Sequence, residues 1–150
     1  MDIQTVIKQS KFDSAYHKAF VNLIYTFNYL TGRQNLIFKK YNVLAQHFNV
    51  LKILKGKYPN PVTPKYILEV MLDKGRDLTR LVDKLEESGF VSRVVSDENK
   101  RSINIYLTPV GLEFTLTLEK EIFVWVKSIA NLTEEEAETL SQLLDKMRND

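Results

Sequence analysis

A glycine at position 89 separates two incompatible periodicities, and this boundary constrains the fold more than anything else in the chain. Before it, Leu78, Leu81, Val82 and Leu85 recur at three- and four-residue spacing, which is a helix with one apolar stripe. Gly89 stands where a left-handed C-terminal cap belongs. After it come Phe90, Val91, Val94 and Val95, then Ile103, Ile105, Tyr106 and Leu107. These β-branched and apolar residues flank a polar turn over 96–102, so the segment is a hairpin with a charged tip. Helical geometry turns Arg76, Thr79, Arg80, Asp83 and Lys84 away from the stripe. A cationic helix face therefore lies beside a hairpin tip carrying Lys100 and Arg101, in reach of phosphates or base edges.

The flanking segments supply a scaffold for that unit. Residues 13–31 read as a long first helix, with Ala15, Ala19, Leu23, Phe27 and Leu30 at helical spacing and an end near Gly32. Its second apolar set, Phe20 and Ile24, predicts packing between two surfaces, with a partner subunit as one candidate. A second helix spans 44–55 and stops at Gly56, followed by a turn over 56–61. Thr63-Pro64 combines an N-cap with proline at the first helical position and opens a short third helix over 64–72. Asp73-Lys74-Gly75 then makes a turn of helix-turn-helix length.

Thr108-Pro109 repeats the cap-plus-proline signal and predicts a long helix to about residue 130. Val110, Leu112, Phe114, Leu116 and Leu118 alternate as in a strand, but the cap and the helical spacing of Ile122, Val126 and Ile129 outweigh them. Thr133 and Glu136 form a capping box for a last helix carrying Ala137, Leu140, Leu143, Leu144 and Met147. The resulting fold class is mainly α with a small β-hairpin wing (α+β), a winged helix-turn-helix with long N- and C-terminal dimerisation helices. Five consecutive large apolar residues, 122–126, are more than one neighbour can bury and also predict a partner surface.

Composition narrows the chemistry. With 44% hydrophobic and 27% charged residues, 150 residues suit a single domain over 1–150. Neither a signal-peptide pattern nor an apolar run of about 20 residues occurs, so a soluble cytoplasmic protein and no membrane partner are expected. Cysteine is absent, which excludes disulfides, thiolate metal sites and thiol catalysis. His17 and His47 are too few for a metal site, and no nucleotide loop or nucleophile elbow occurs, so neither cofactor nor enzymatic activity is expected. The net charge of +2 is small but uneven. No acid lies between Asp13 and Glu69, where Lys18, Arg33, Lys39, Lys40, Lys52, Lys55, Lys57 and Lys65 all occur, so an anionic partner belongs near the first half.

The run Leu78-Thr79-Arg80-Leu81-Val82-Asp83-Lys84-Leu85-Glu86 with Gly89-Phe90-Val91, the tip Asn99-Lys100-Arg101, and Leu107-Thr108 with Gly111 together resemble the MarR family of bacterial winged-helix transcription regulators. The resemblance covers about 44–119 and is architectural outside that span. It implies a homodimer with intertwined helices over 10–32 and 109–150, and a DNA-binding lobe over 44–108 placed on a near-palindromic operator. It also implies that the helix over 76–88 enters the major groove, while Arg101 reaches the flanking minor groove. Asn99 stands where the family usually has an aspartate, so Arg101 meets an amide that accepts a hydrogen bond without supplying charge.

The expected DNA-contacting residues are Lys65, Arg76, Asp77, Thr79, Arg80, Lys84, Asn99, Lys100 and Arg101. Arg76 is the candidate for guanine, and Arg80 and Lys84 for phosphates. Family members commonly release DNA when a small, often aromatic, acid or drug-like compound binds between dimer helices and lobe. Tyr25, His47, Phe48, Phe114 and Trp125 are the candidate pocket residues. The competing reading is a winged-helix protein-interaction module that does not bind DNA. It is favoured by the balance of seven cations and seven acids over 73–101.

Overall fold

The structure is a computed structural model and describes residues 2–75, 77–95, 102–129 and 131–149. In chain order its elements are α1 (Ile3–Val6), α2 (Ala15–Lys40), α3 (Ala45–Lys55), α4 (Pro64–Val70), α5 (Leu78–Glu87), β1 (Val91–Val95), β2 (Ile103–Leu107), α6 (Pro109–Ile129) and α7 (Glu134–Arg148). The fold is thus mainly α with one antiparallel hairpin, as the periodicities require. The chain divides into two compact units, Met1–Thr115 and Leu116–Asp150.

In the first unit, the α5 stripe of Leu78, Leu81, Val82 and Leu85 meets Val50, Leu51 and Leu54 of α3, Ile67 of α4, and Val91, Ile105 and Leu107 of the hairpin. These residues are 7% exposed or less, so burying each contributes roughly 1.5–3 kcal/mol. Gly89, with φ +74°, makes the left-handed turn that ends α5 and starts β1. The hairpin register pairs Val91 with Leu107, Arg93 with Ile105 and Val95 with Ile103. Its tip, 96–101, lies outside the described residues.

Thr63 caps α4 as expected, its hydroxyl accepting from Tyr66 N at 3.3 Å. The short helix ends at Val70 rather than 72, because Met71 is extended (φ −60°, ψ 141°).

Two segments depart from expectation. The first long helix does not end near Gly32 but runs on to Lys40. A mid-helix glycine costs only about 1 kcal/mol, and burial of Ile37 and Phe38 beyond it offsets that. The stop comes at Asn42, which takes the left-handed conformation with φ 54°. The second departure is Val62, which sits within the turn-rich stretch. Its N–H and C=O bond to Ile105 at 2.9 Å each, adding an isolated bridge on the outer side of β2.

The alternating segment after Thr108 is helical, and Thr108 shows why. Its hydroxyl accepts from Gly111 N (2.9 Å) and donates to Gly89 O (2.7 Å), with Phe90 O at 3.1 Å. This single side chain caps α6 and ties it to the turn that ends α5. Gly111 faces Phe90 so closely that a Cβ there would lie 2.0 Å from Phe90 O.

In the second unit, α6 from Leu116 onward is followed by α7. Thr133 and Glu136 complete the capping box, with Glu136 N to Thr133 Oγ1 at 3.2 Å and Thr133 N to Glu136 Oε2 at 2.8 Å. Leu140, Leu143 and Met147 of α7 are exposed, as are Phe123, Val124 and Val126 of α6. Among the described residues, no helix is long and apolar enough to cross a membrane.

Candidate nucleic-acid interface

The free face of α5 is organised by charge. Asp77 is its N-cap, with Oδ1 accepting from Thr79 N (3.0 Å) and Arg80 N (3.3 Å), while Oδ2 meets Arg80 Nε at 3.3 Å. The expected DNA-contacting aspartate is therefore engaged in capping the helix and orienting Arg80. Arg80 itself projects outward with its side chain 87% exposed. At 100° per residue, Arg80 and Lys84 fall on one flank, and Asp83 and Glu86 on the other. Thr79 is exposed, and Lys84 lies 3.7 Å from Glu87.

The acidic flank faces β1, where Arg93 receives it. Arg93 Nε and Nη2 donate to Glu86 Oε2 at 2.9 and 2.6 Å, and Nη2 also reaches Asp83 Oδ1 at 2.6 Å. The backbone N–H of Arg93 donates to Glu86 Oε1 at 2.9 Å. These bonds hold the Glu86 carboxyl below its ordinary pKa and raise that of the Arg93 guanidinium. Among the described charges, those of α5 and Arg93 are thus sorted into pairs. Two of α5's carboxylates are drawn to the wing strand, while on the opposite flank Arg80 and Lys84 pair with Asp77 and Glu87 across the solvent-exposed surface.

Lys65 is exposed at the start of α4, while Arg76, Asn99, Lys100 and Arg101 lie outside the described residues. Sequence reasoning missed Arg93. Its partners stand seven and ten residues upstream across a helix-to-strand turn, a separation that belongs to neither periodicity.

An open cleft of about 760 Å³ lies beside the same helix, lined among others by Asn35 and Lys39 of α2, Leu44, Gln46 and His47 at the start of α3, and Lys84. Of the five aromatic and histidine candidates, His47 lines it. Tyr25 instead stacks on Tyr29 with centroids 6.5 Å apart, and Phe48 packs on Phe38 at 5.4 Å. Phe114 stacks on Phe90 at 4.1 Å and meets Tyr41 edge-on. Trp125 belongs to α6 in the second unit. The His47 ring is buried, and its Nδ1 accepts from Leu44 N at 2.9 Å. Burial, and then the charge of Lys84, lower its pKa. Among the described residues, no cluster of His, Asp or Glu is arranged to hold a metal ion.

No family model matches the chain. It is 31% identical over 117 residues to the HTH-type transcriptional regulator MgrA of Staphylococcus aureus, covering 75% of each chain. It is 28% identical over 113 residues to the HTH-type transcriptional regulator PecS of Dickeya dadantii, covering 74% of this chain and 68% of that protein. A crystal structure of a MarR transcription factor from Planctomyces limnophilus superposes with a TM-score of 0.70 at 27% identity, over 90% of this chain and 98% of the other. A mutant E. coli MarR complexed with operator DNA gives 0.73 at 27% identity, over 87% and 94%. The first two are named HTH-type transcriptional regulators, the third a transcription factor, and the fourth is bound to operator DNA. From the helix-turn-helix and hairpin geometry together with these relatives, the chain belongs to the MarR family of winged-helix transcriptional regulators.

Proposed function

We propose that the chain is a homodimeric, sequence-specific DNA-binding regulator that occupies a near-palindromic operator and is released by a small acidic effector. The observation that carries this reading is the sorting of charge on α5. Arg93 draws Asp83 and Glu86 to one flank, while on the other Arg80 and Lys84 are held only by exposed pairs with Asp77 and Glu87, weak contacts that a phosphate can displace. A relative 27% identical to this chain was crystallised with operator DNA, which supports the same use of α5 here. In this reading, residues 44–108 form the DNA-binding lobe, with Arg76, Asn99, Lys100 and Arg101 completing its contacts. The helices over 10–32 and 109–150 form the dimer.

Exposed Phe20, Ile24 and Phe27 on α2, with the apolar stripe of α7, support dimerisation, since such faces seek cover. The cleft between α2, α3 and α5 is of a size that suits small molecules and carries Lys39 and Lys84, which favour an anionic one.

The test is selection of bound sequences from a random DNA pool, followed by titration on the selected duplex. Parent protein should enrich a two-fold symmetric site whose affinity falls steeply with salt. Arg80→Ala should weaken binding on all duplexes and reduce the salt slope by about one. Absence of binding to any duplex at low ionic strength refutes the proposal and favours the protein-interaction module.

A further inference from the structure

We propose that Arg93 is a positioning residue that sets the angle between recognition helix and wing, and hence the spacing between major-groove and minor-groove contacts within a half-site. The inference rests on the DNA-binding reading above. Its basis is where Arg93 stands along the hairpin. Directly paired residues of an antiparallel ladder share a face, so Val91 and Leu107, Arg93 and Ile105, and Val95 and Ile103 form three successive pairs on one side.

The innermost pair is buried at 2% and 6% exposure, whereas the outermost pair, Val95 and Ile103, is exposed at 56% and 42%. The Arg93–Ile105 pair is therefore the last one fastened to the body of the unit. Beyond it Val94, Val95 and Ile103 are exposed.

At that point Arg93 grips α5 on two successive turns. Glu86 takes three of its bonds, from N, Nε and Nη2, and Asp83 takes the fourth, from Nη2. Such a grip needs the planar fork of a guanidinium, because a lysine ammonium is a single point on a flexible stem and cannot hold both carboxylates in one plane. Loosening it leaves the core untouched and frees the strand to swing relative to the helix. Charge and position are also separable here, since Arg93→Lys keeps the cation and loses only the fork.

The experiment uses the full-length protein with an operator obtained by selection and a random duplex of equal length, read by fluorescence anisotropy and hydroxyl-radical footprinting. With Arg93→Lys, operator affinity should fall at least tenfold, while random-duplex affinity and salt slope stay within twofold. Protection should fade at the outer minor-groove segments and persist in the central major grooves. Asp83→Asn, which removes one arm of the grip from the other side, should show a loss of about threefold in the same direction, so the test survives if the first variant folds poorly. Operator binding by both variants equal to the parent, or an equal loss on operator and random duplex, overturns the proposal. Failure of the parent itself to bind any duplex overturns the DNA-binding reading and the proposal with it.

Discussion

Gly32 and Gly111 both lie inside helices, and replacing each with alanine should change stability in opposite directions. Helix propensity alone favours alanine at either position by about 1 kcal/mol. At Gly32 nothing lies within 4 Å of the added methyl, so Gly32→Ala should stabilise the protein by about 0.5–1 kcal/mol. At Gly111 the methyl would sit 2.0 Å from Phe90 O and 3.0 Å from Leu107 Cδ1. Since C···O contacts settle near about 3.3 Å, α6 and the Gly89–Phe90 turn must part by roughly 1.3 Å. Neither side can yield freely. Gly111 N is bonded to Thr108 Oγ1 and Gly111 O accepts from Thr115 Oγ1 at 2.6 Å, while Phe90 O also accepts from Thr108 N at 3.0 Å.

Breaking two of these bonds costs about 2 kcal/mol. Separating the Phe90–Phe114 stack adds about 1 kcal/mol. After the propensity gain, Gly111→Ala should destabilise by about 2 kcal/mol, lowering Tm by roughly 4–8 °C. Thermal and urea unfolding by circular dichroism, at one fixed protein concentration, measures both variants. A Gly111→Ala protein as stable as Gly32→Ala would refute the close-packed account of the α6 start.

Lowering the pH should cost stability through His47. Its native pKa lies beneath the ordinary 6.5, so the unfolded chain takes up the proton first, and the stability present above 6.5 is lost as pH falls from that value through the lower native pKa. His47→Gln should flatten the Tm profile between about pH 7.5 and 5, and parallel profiles for parent and variant would disprove the assignment. Thr133→Ala, which removes a two-way cap, should cost about 1 kcal/mol and speed amide exchange at residues 134–137, with unchanged exchange counting against it. Sedimentation at micromolar concentration should show a dimer that Phe27→Arg converts to monomer, whereas a monomeric parent would remove the basis for the intertwined arrangement.

What was legible in the sequence is what local stereochemistry dictates. The α5 stripe, the positive φ at Gly89, and the caps at Thr63, Thr108 and Thr133 each depend on residues within a few positions of one another, and each forms as read. Gly32 misled because propensity is a weak local term, and Ile37 and Phe38 only reveal their burial in three dimensions. Val62 contributes a single bridging residue, too short for any period to reveal. Arg93 joins residues on two elements of different periodicity. Of the candidate pocket residues, His47 lines the cleft beside amides and lysines, whereas Phe48 and Phe114 pack against Phe38 and Phe90, pairings between distant positions that no local spacing shows.

The Arg93–Ile105 pair also closes the hairpin to strangers. A two-stranded ribbon has two outer edges, each able to recruit a strand from another chain and seed aggregation. At this register β2 spends its outward N–H and C=O on Val62, and β1 gives its outward N–H to the Glu86 carboxylate. A protein that must project a valine- and isoleucine-bearing hairpin into solvent is thus guarded on both sides at its base. Weakening the Glu86 contact would open an edge as well as shift a wing, so variants of Glu86 are the ones expected to lose solubility at high concentration.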